Sequence, residues 1–347
     1  RILLLAASAA PAADLLAVYQ RALQNDPELR EAEANRLAAL ETKPQALAAL
    51  LPQLAASGTV SREHDSGSSN TTEPVTTGGP GSPVVLESFP FEGRVATTTH
   101  RYGIDLRQNL FRWVNWVALK RADSQVAQAE ADYQAAQQDL IERVAQRYFD
   151  VLAAQDVLEA QQVALISIQH QLDQAEARYK IGLIAVTDVE EARAAHDSGA
   201  AAVIAAKRTL ASTQELLREI TGDAFQSLAR PIEPFELANP DPVNEDRWVD
   251  MALQQNLSLV SSRLAADIAR ENISTARGGH FPSLDLVGSR YKMTTNGVDT
   301  FTDGTPAGGT MLDQNQRTIG LQLTFPLYTG GMVSSQVRQA VYLHRAA

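Results

Sequence analysis

Residues 22–58 read ALQNDPELREAEANRLAALETKPQALAALLPQLAASG, and residues 252–288 read ALQQNLSLVSSRLAADIARENISTARGGHFPSLDLVG. The two stretches align without a gap at a constant offset of 230, and ten of the 37 positions are identical. A second block follows, in which residues 102–111 align with residues 319–328. One structural unit is therefore used twice in this chain.

Each unit is predicted to supply two strands. In residues 319–326 apolar side chains alternate with small or polar ones until Pro326, and residues 102–107 repeat this alternation, which is typical of a strand with one apolar face. The predicted strands cover about residues 53–64, 97–110, 283–293 and 317–327. Between them, the polar, glycine-rich stretches 65–83 and 294–316 are predicted to be long exposed loops.

A long helical hairpin is predicted over residues 113–221. Its first part, up to Ile181, contains no proline or glycine, and apolar or small residues recur at steps of three and four. This pattern predicts a nearly continuous helix about 100 Å long. Gly182 is expected to end that helix in the left-handed conformation. Thr187 and Asp188 then lie in a predicted capping box that begins the return helix, which gives an antiparallel coiled hairpin.

Composition excludes several classes of protein. The chain has 347 residues, no cysteine and a net charge of -11, which argues against a disulfide scaffold, a thiolate metal site and nucleic-acid binding. No catalytic or phosphate-binding motif is present, and the histidines have no metal-ligand spacing. These histidines are His64, His100, His170, His196, His280 and His344. We therefore predict no enzyme activity, metal or cofactor.

The ends of the repeats define the predicted organisation. Residues 1–12 resemble the end of a secretion signal, because an apolar run precedes a small-x-small cleavage pattern. The first repeat is predicted at 13–222, a proline-rich connector at 223–246 and the second repeat at 247–347. No later apolar run has the roughly 18 to 20 residues of a spanning helix, so any membrane crossing must use strands.

Four strands alone do not close a barrel, and lipid does not tolerate open sheet edges. If the strands cross a membrane, the missing strands must come from other copies of the chain. Totals of eight, twelve or sixteen strands would all satisfy this requirement.

Several short motifs occur in an order that is specific to one family. They are NDPEL at 25–29, YFDVL at 148–152, RYKIGLIAVTDV at 178–189, LREITG at 217–222, GHFPSLDL at 279–286 and FPLYTGGMV at 325–333. On these motifs the chain resembles the TolC family of outer-membrane efflux and type I secretion channels over essentially its whole length. The resemblance implies an α+β membrane channel protomer, whose four strands join a shared twelve-stranded barrel in a homotrimer above a periplasmic tunnel of helices. The second long hairpin of that family is not in this sequence, so we expect the sequence to be a fragment.

The resemblance also implies roles for individual residues. It makes Thr187 and Asp188 a gate latch between the outer and inner hairpins, whereas the residues alone indicate a helix cap. The hairpin tip is either a simple turn or the docking site of a periplasmic adaptor, and it comprises Arg178, Ile181, Gly182 and Leu183. The residues predicted to face lipid are Tyr102, Ile104, Leu106, Ile319, Leu321 and Leu323.

The resulting prediction is a passive exit duct in the outer membrane, with helices that extend into the periplasm. Its expected partners are two further copies of the chain, a periplasmic adaptor protein, an inner-membrane transporter and outer-membrane lipid, but no nucleic acid. The alternative is a periplasmic coiled-coil adaptor or structural protein that does not conduct. Such a protein has long hairpins, but it has no use for four strands with a lipid-ready face. A soluble secreted protein is disfavoured because its strands would leave bare edges in water.

Overall fold

The computed structural model describes residues 12–76, 84–225, 227–231, 241–301 and 304–347. The helices are α1 Leu15–Asn25, α2 Pro27–Leu40, α3 Thr42–Ala48, α4 Trp113–Lys180, α5 Val186–Thr221, α6 Glu245–Gln255, α7 Leu257–Arg277 and α8 Met332–Ala346. The strands are β1 Gln53–Thr76, β2 Val84–Arg112, β3 Ser283–Phe301 and β4 Pro306–Thr324. α4 and α5 occupy the hairpin predicted at 113–221.

The chain divides into two compact units. The helical unit comprises the described residues up to Glu41 together with Ser124–Ala266, and the sheet unit comprises Thr42–Asp123 and Asp267–Ala347. This division does not follow the predicted repeats 13–222 and 247–347, because each repeat contributes helices to one unit and strands to the other.

The repeat is visible in how corresponding helices begin. α1 and α6 are followed by Asp26 and Asn256, whose side chains cap the next helix in each copy. The amide of Leu29 donates to Oδ2 of Asp26 at 2.7 Å, and the amide of Leu259 donates to Oδ1 of Asn256 at 3.0 Å. A side-chain acceptor at this position satisfies an amide that the helix leaves unpaired. Residues that are 230 positions apart in the two repeats therefore adopt the same local structure.

The core of the helical unit lies where α1 and α2 pack against α4 and α5. Its most deeply buried apolar side chains are Val18, Ala22, Leu140, Val144, Val151, Leu217 and Ile220. Further along the hairpin, Gly199 of α5 approaches α4 closely: a Cβ atom there would lie 3.3 Å from both Leu165 and Ile168. A small residue therefore allows the two helices to pack tightly.

The sheet is antiparallel throughout, in the order β1-β2-β3-β4. Its strands are longer than predicted, since much of 65–83 and 294–316 is paired strand and not loop. Residues 77–83 lie outside the described chain. The prediction of long loops was wrong because the hydrogen bonds of an antiparallel ladder join backbone groups, so polar and glycine-rich segments can also pair as strands. Within the described residues, the outer edges of β1 and β4 have no strand partner.

Two other predictions meet the structure only in part. Residues 1–11 of the predicted signal and residues 226 and 232–240 of the predicted connector lie outside the described chain.

Among the described residues, one helix is long and apolar enough, by length and composition, to cross a membrane. This helix is α4, which contains an 18-residue stretch with a mean hydropathy of 1.2, of which 17% is buried. The sequence analysis did not predict this stretch because it looked for unbroken runs of apolar residues, whereas a mean hydropathy averages over apolar and polar residues.

Candidate functional site

The six residues predicted to face lipid share one face of the sheet. Gly288 of β3 lies directly opposite Leu106 on one side and Ile319 on the other, and directly opposed residues point to the same face. The remaining members follow at the two-residue period of a strand. All six side chains are exposed, apart from Leu106, which is half-buried beside Gly288. We call this set, Tyr102, Ile104, Leu106, Ile319, Leu321 and Leu323, the apolar face.

The opposite face of the sheet is polar. The guanidinium carbon of Arg101 lies 4.2 Å from the ring centre of Tyr291, which is a cation–π contact. Tyr291 itself lies directly opposite Gly103, where a Cβ atom would come within 2.6 Å of the tyrosine Cβ. Glycine is therefore required for this close cross-strand contact.

Asp285 is a buried carboxylate on the polar face that the sequence analysis did not single out. Nη2 of Arg107 lies 3.0 Å from Oδ2 of Asp285, and Nη2 of Arg112 lies 3.3 Å from the same oxygen. The aspartate side chain is only 3% exposed. Its one sequence signal is an acid between two leucines of a strand, Leu284 and Leu286. The two ion pairs join β2 to β3 where the strands meet the helices.

Aromatic side chains surround this end of the sheet. Trp113 and Phe281 pack edge to face with ring centres 5.3 Å apart, and the indole of Trp113 donates to the carbonyl of Ser274. The exposed members of this aromatic belt are Phe111, Trp113, Trp116, Phe281, Phe325 and Tyr328. Girdles of aromatic residues flank the apolar band of membrane barrels, and the amphipathic rings of Trp and Tyr, as in Trp113, Trp116 and Tyr328, are enriched where a membrane meets water. The sequence analysis did not predict the belt.

The hairpin tip has the predicted left-handed glycine. Gly182 has φ 77°, its amide donates to the carbonyl of Tyr179, and the amide of Leu183 donates to the carbonyl of Arg178. These two bonds form a Schellman motif that ends α4. The side chains of Ile181, Leu183 and Arg178 are exposed. The structure thus brings the four predicted tip residues together on one exposed turn.

The predicted capping box at Thr187 and Asp188 is wrong. α5 begins at Val186, its cap residue is Ala185, and no side chain bonds the first amides. Thr187 and Asp188 lie within the first turn, and both are exposed. The reason is that the turn after Gly182 needs only three more residues before helical geometry resumes. Asp188 still places a negative charge near the positive end of the helix dipole.

Two polar contacts hold α4 against other segments of the helical unit. Arg143 donates to both carboxylate oxygens of Asp26, and this hydrogen bonding raises the pKa of the Arg143 guanidinium. The hydroxyl of Tyr148 donates to the carbonyl of Ala229 at 2.5 Å, and burial raises the pKa of this phenol. Both contacts hold the hairpin in position and have no visible chemistry of their own.

The comparisons with known proteins agree on one family. The profile described as outer membrane efflux protein matches residues 18–223 and 248–347. The chain is 35% identical over 343 residues to outer membrane protein TolC of Vibrio cholerae, covering 98% of this chain and 70% of the relative. It is 36% identical over 339 residues to outer membrane protein TolC of Escherichia coli, covering 96% of this chain but only 63% of that relative.

Similarity extends to a relative named for secretion and to solved channels. The alkaline protease secretion protein AprF of Pseudomonas aeruginosa is 27% identical over 346 residues, which cover 98% of this chain and 66% of that protein. The outer membrane channel CmeC of Campylobacter jejuni superposes with a TM-score of 0.68 at 20% identity, covering 96% of this chain and 65% of that one. At this identity the structural likeness shows the fold alone.

Proposed function

This chain belongs to the outer membrane efflux protein family, and we propose that it is a protomer of a homotrimeric outer-membrane exit duct. Three copies, each giving four strands, form a twelve-stranded barrel, and the helical hairpins extend into the periplasm. The duct carries cargo outward without chemistry of its own, driven by an inner-membrane transporter and joined to it by a periplasmic adaptor.

The observation that carries this proposal is the combination of the exposed apolar face with the outer edges of β1 and β4, which have no strand partner in the part of the chain that the structure describes. In water, the exposed apolar side chains and the long bare edges would both favour aggregation. In a bilayer the apolar face is solvated by lipid, and the edges are satisfied when they pair with neighbouring copies. The aromatic belt supports a membrane boundary at the helical end of the sheet.

The helical unit supports assembly in the same way. Val163 and Ile166 of α4 and Ile204 of α5 are large apolar side chains that remain exposed on the hairpin. Several large apolar side chains exposed on one element indicate a surface that another protein covers. We assign this surface to helices of the assembled duct.

The hairpin tip is the proposed docking site of the adaptor, and Asp188 is the proposed latch of the closed duct. Ile181 and Leu183 are exposed beside the charged Arg178, which has no ion-pair partner within the described residues. A small apolar contact flanked by one charge suits a protein interface of limited area. The latch requires a partner for Asp188 on another hairpin of the assembly.

The proposed cargo includes both the small molecules of efflux and the proteins of type I secretion. The relatives with the higher identity are the TolC proteins, whereas AprF is named for protease secretion and is less similar. We propose a general exit duct for small molecules or proteins, whose cargo the inner-membrane partner selects.

Expression of the full-length protein tests the proposal. We expect a heat-resistant oligomer in the outer-membrane fraction and discrete conductance steps when the purified oligomer is added to a planar bilayer. Recovery from the soluble periplasmic fraction, without conductance, would contradict the duct and favour the rival function of a non-conducting coiled-coil adaptor.

A further inference from the structure

Basic side chains join the apolar face of the sheet at one step of the strand ladder. Arg317 precedes Ile319 by two residues on β4 and therefore lies on the same face. Arg290 of β3 lies directly opposite Arg317 and also directly opposite Ile104 of β2. The two arginines thus share the ladder row of Ile104. The apolar residues Leu106, Ile319, Leu321 and Leu323 lie on the helix side of this row, whereas Tyr102 lies one step further on, directly opposite Lys292.

This arginine pair is unusual in having no counter-charge. Like charges directly opposite each other on neighbouring strands are destabilising. Both side chains are exposed, and neither has a hydrogen bond or ion pair within the described part of the chain. Lys292, one ladder step further on, does have a partner, because its Nζ lies 3.1 Å from Oδ2 of Asp313. Among the residues that the structure describes, these two opposed cations are therefore left without a partner.

The same face carries a surplus of basic residues toward the β1–β2 and β3–β4 connections, and the opposite face carries more acidic than basic residues. By ladder register, the basic band on the apolar side comprises Arg62, Arg94, Arg290, Lys292 and Arg317. Acids at register positions of the other face include Glu63, Asp65, Asp105, Asp285 and Asp299. Arg101, Arg107 and Arg112 also lie on that other face, and Asp313 lies on the basic one beside Lys292. The two faces therefore differ in their balance of charge, and the basic band keeps a surplus of positive charge.

We propose that Arg290 and Arg317 clamp a phosphate group of a phosphorylated glycolipid in the outer leaflet. Arginine forks match phosphate geometry, and directly opposed residues have Cβ atoms about 5 Å apart, so two forks reach one phosphate. The anion removes the repulsion between the arginines, while the acyl chains cover Ile319 and Leu321 on the side toward the helices. The remaining basic band continues the attraction for a polyanionic headgroup.

The inference rests on the proposed function in one respect. It requires that this face of the sheet lies in the outer membrane, with the β1–β2 and β3–β4 connections on the outer side. The outer leaflet is chosen because the basic band lies on the far side of Leu106, Ile319, Leu321 and Leu323 from the helices. A phospholipid of the inner leaflet would meet the aromatic belt at the other end of the sheet.

The experiment is a lipid titration of the purified full-length oligomer in detergent. The probes are bisphosphorylated lipid A, the same lipid after removal of its phosphates, and phosphatidylglycerol. The readouts are the apparent binding constant and the temperature at which the oligomer dissociates. We expect bisphosphorylated lipid A to raise that temperature and to bind most tightly, with an affinity that falls as salt rises.

The variants Arg290→Gln and Arg317→Gln should each weaken the binding of bisphosphorylated lipid A by about tenfold. The matched control is Arg101→Gln on the polar face, which should bind as the wild type does. Equal binding of phosphorylated and dephosphorylated lipid A, equal binding of phosphatidylglycerol, or no effect of the two variants would overturn the inference. In those cases an intact, conducting oligomer in the outer membrane would leave the proposed function standing, whereas its absence would defeat the proposed function itself.

Discussion

Arg143 and Asp26 form a bidentate ion pair, in which Nη1 and Nη2 of the arginine lie 3.0 and 2.9 Å from the two carboxylate oxygens. The aspartate side chain has no exposed surface, and its Oδ2 also accepts the amide of Leu29. One side chain therefore caps α2 and holds α4 against it. The corresponding cap in the second repeat, Asn256, is exposed and uncharged.

We predict that Asp26→Ala destabilises the protein by about 3 kcal/mol, because it leaves the guanidinium of Arg143 without its counter-charge and removes a helix cap. The matched control is Asn256→Ala, which removes only a cap and should cost about 1 kcal/mol. Urea unfolding of the helical unit, followed by circular dichroism of the full-length protein, measures both. Equal costs at the two positions would show that the ion pair contributes nothing beyond the cap.

Leu321→Arg tests the assignment of the apolar face to lipid. An arginine near the middle of the membrane costs about 2 to 4 kcal/mol on the lipid side of a barrel strand. We expect a clear loss of heat-resistant oligomer in outer-membrane extracts, measured by electrophoresis of unheated samples. Gln322→Arg, the next residue and on the polar face, is the control and should assemble normally. An undiminished yield for Leu321→Arg would contradict the assignment.

Gly103→Ala tests the close contact between β2 and β3. The new Cβ would lie 2.6 Å from the Cβ of Tyr291 and 2.7 Å from the carbonyl oxygen of Arg290, so the strands must separate. Overpacking of this kind costs about 1 to 3 kcal/mol. Gly58→Ala in β1 is the control, since nothing lies within 4 Å of its Cβ position. The dissociation temperature of the oligomer should fall for Gly103→Ala and stay unchanged for Gly58→Ala.

The sequence predicted the parts of this structure that depend on local pattern. The strand alternation near Ile104 and Ile319, the glycine that ends α4 and the offset between the repeats all come from residue spacing. Asp285 and the unpaired Arg290 escaped prediction, because their surroundings depend on which strand lies beside which. At Ala185 a local pattern gave a wrong prediction. A favourable capping sequence begins two residues later, at Thr187, yet the helix begins earlier because of the geometry of the preceding turn.

Gly182→Leu separates docking from folding at the hairpin tip. No atom lies within 4 Å of the Cβ position, so the substitution costs only the strain of a positive φ, roughly 1 kcal/mol. We expect a normal yield of oligomer but loss of export and of crosslinking to the adaptor, because Leu183 moves relative to Arg178. Gly182→Asn, which tolerates this conformation, should retain export. Export by Gly182→Leu at the wild-type level would remove the docking proposal.

Asp188→Ala distinguishes a residue that only stabilises its helix from a latch. In the first turn of α5 the carboxylate contributes about 0.3 to 1 kcal/mol through the helix dipole, and the exposed side chain has no partner within the described residues. A purely local role predicts a slightly lower melting temperature and wild-type conductance. A latch role predicts higher resting conductance or more frequent openings of the full-length oligomer in a planar bilayer.

A second substitution at the cap position keeps the two effects apart. Ala185 caps α5 without a side-chain bond, so Ala185→Ser supplies the missing acceptor and should add about 1 kcal/mol of stability. The double variant Ala185→Ser with Asp188→Ala therefore regains the lost stability without restoring the carboxylate. If its conductance stays raised while its melting temperature returns to that of the wild type, the charge of Asp188 holds the duct closed. If conductance returns together with stability, Asp188 acts only on its own helix.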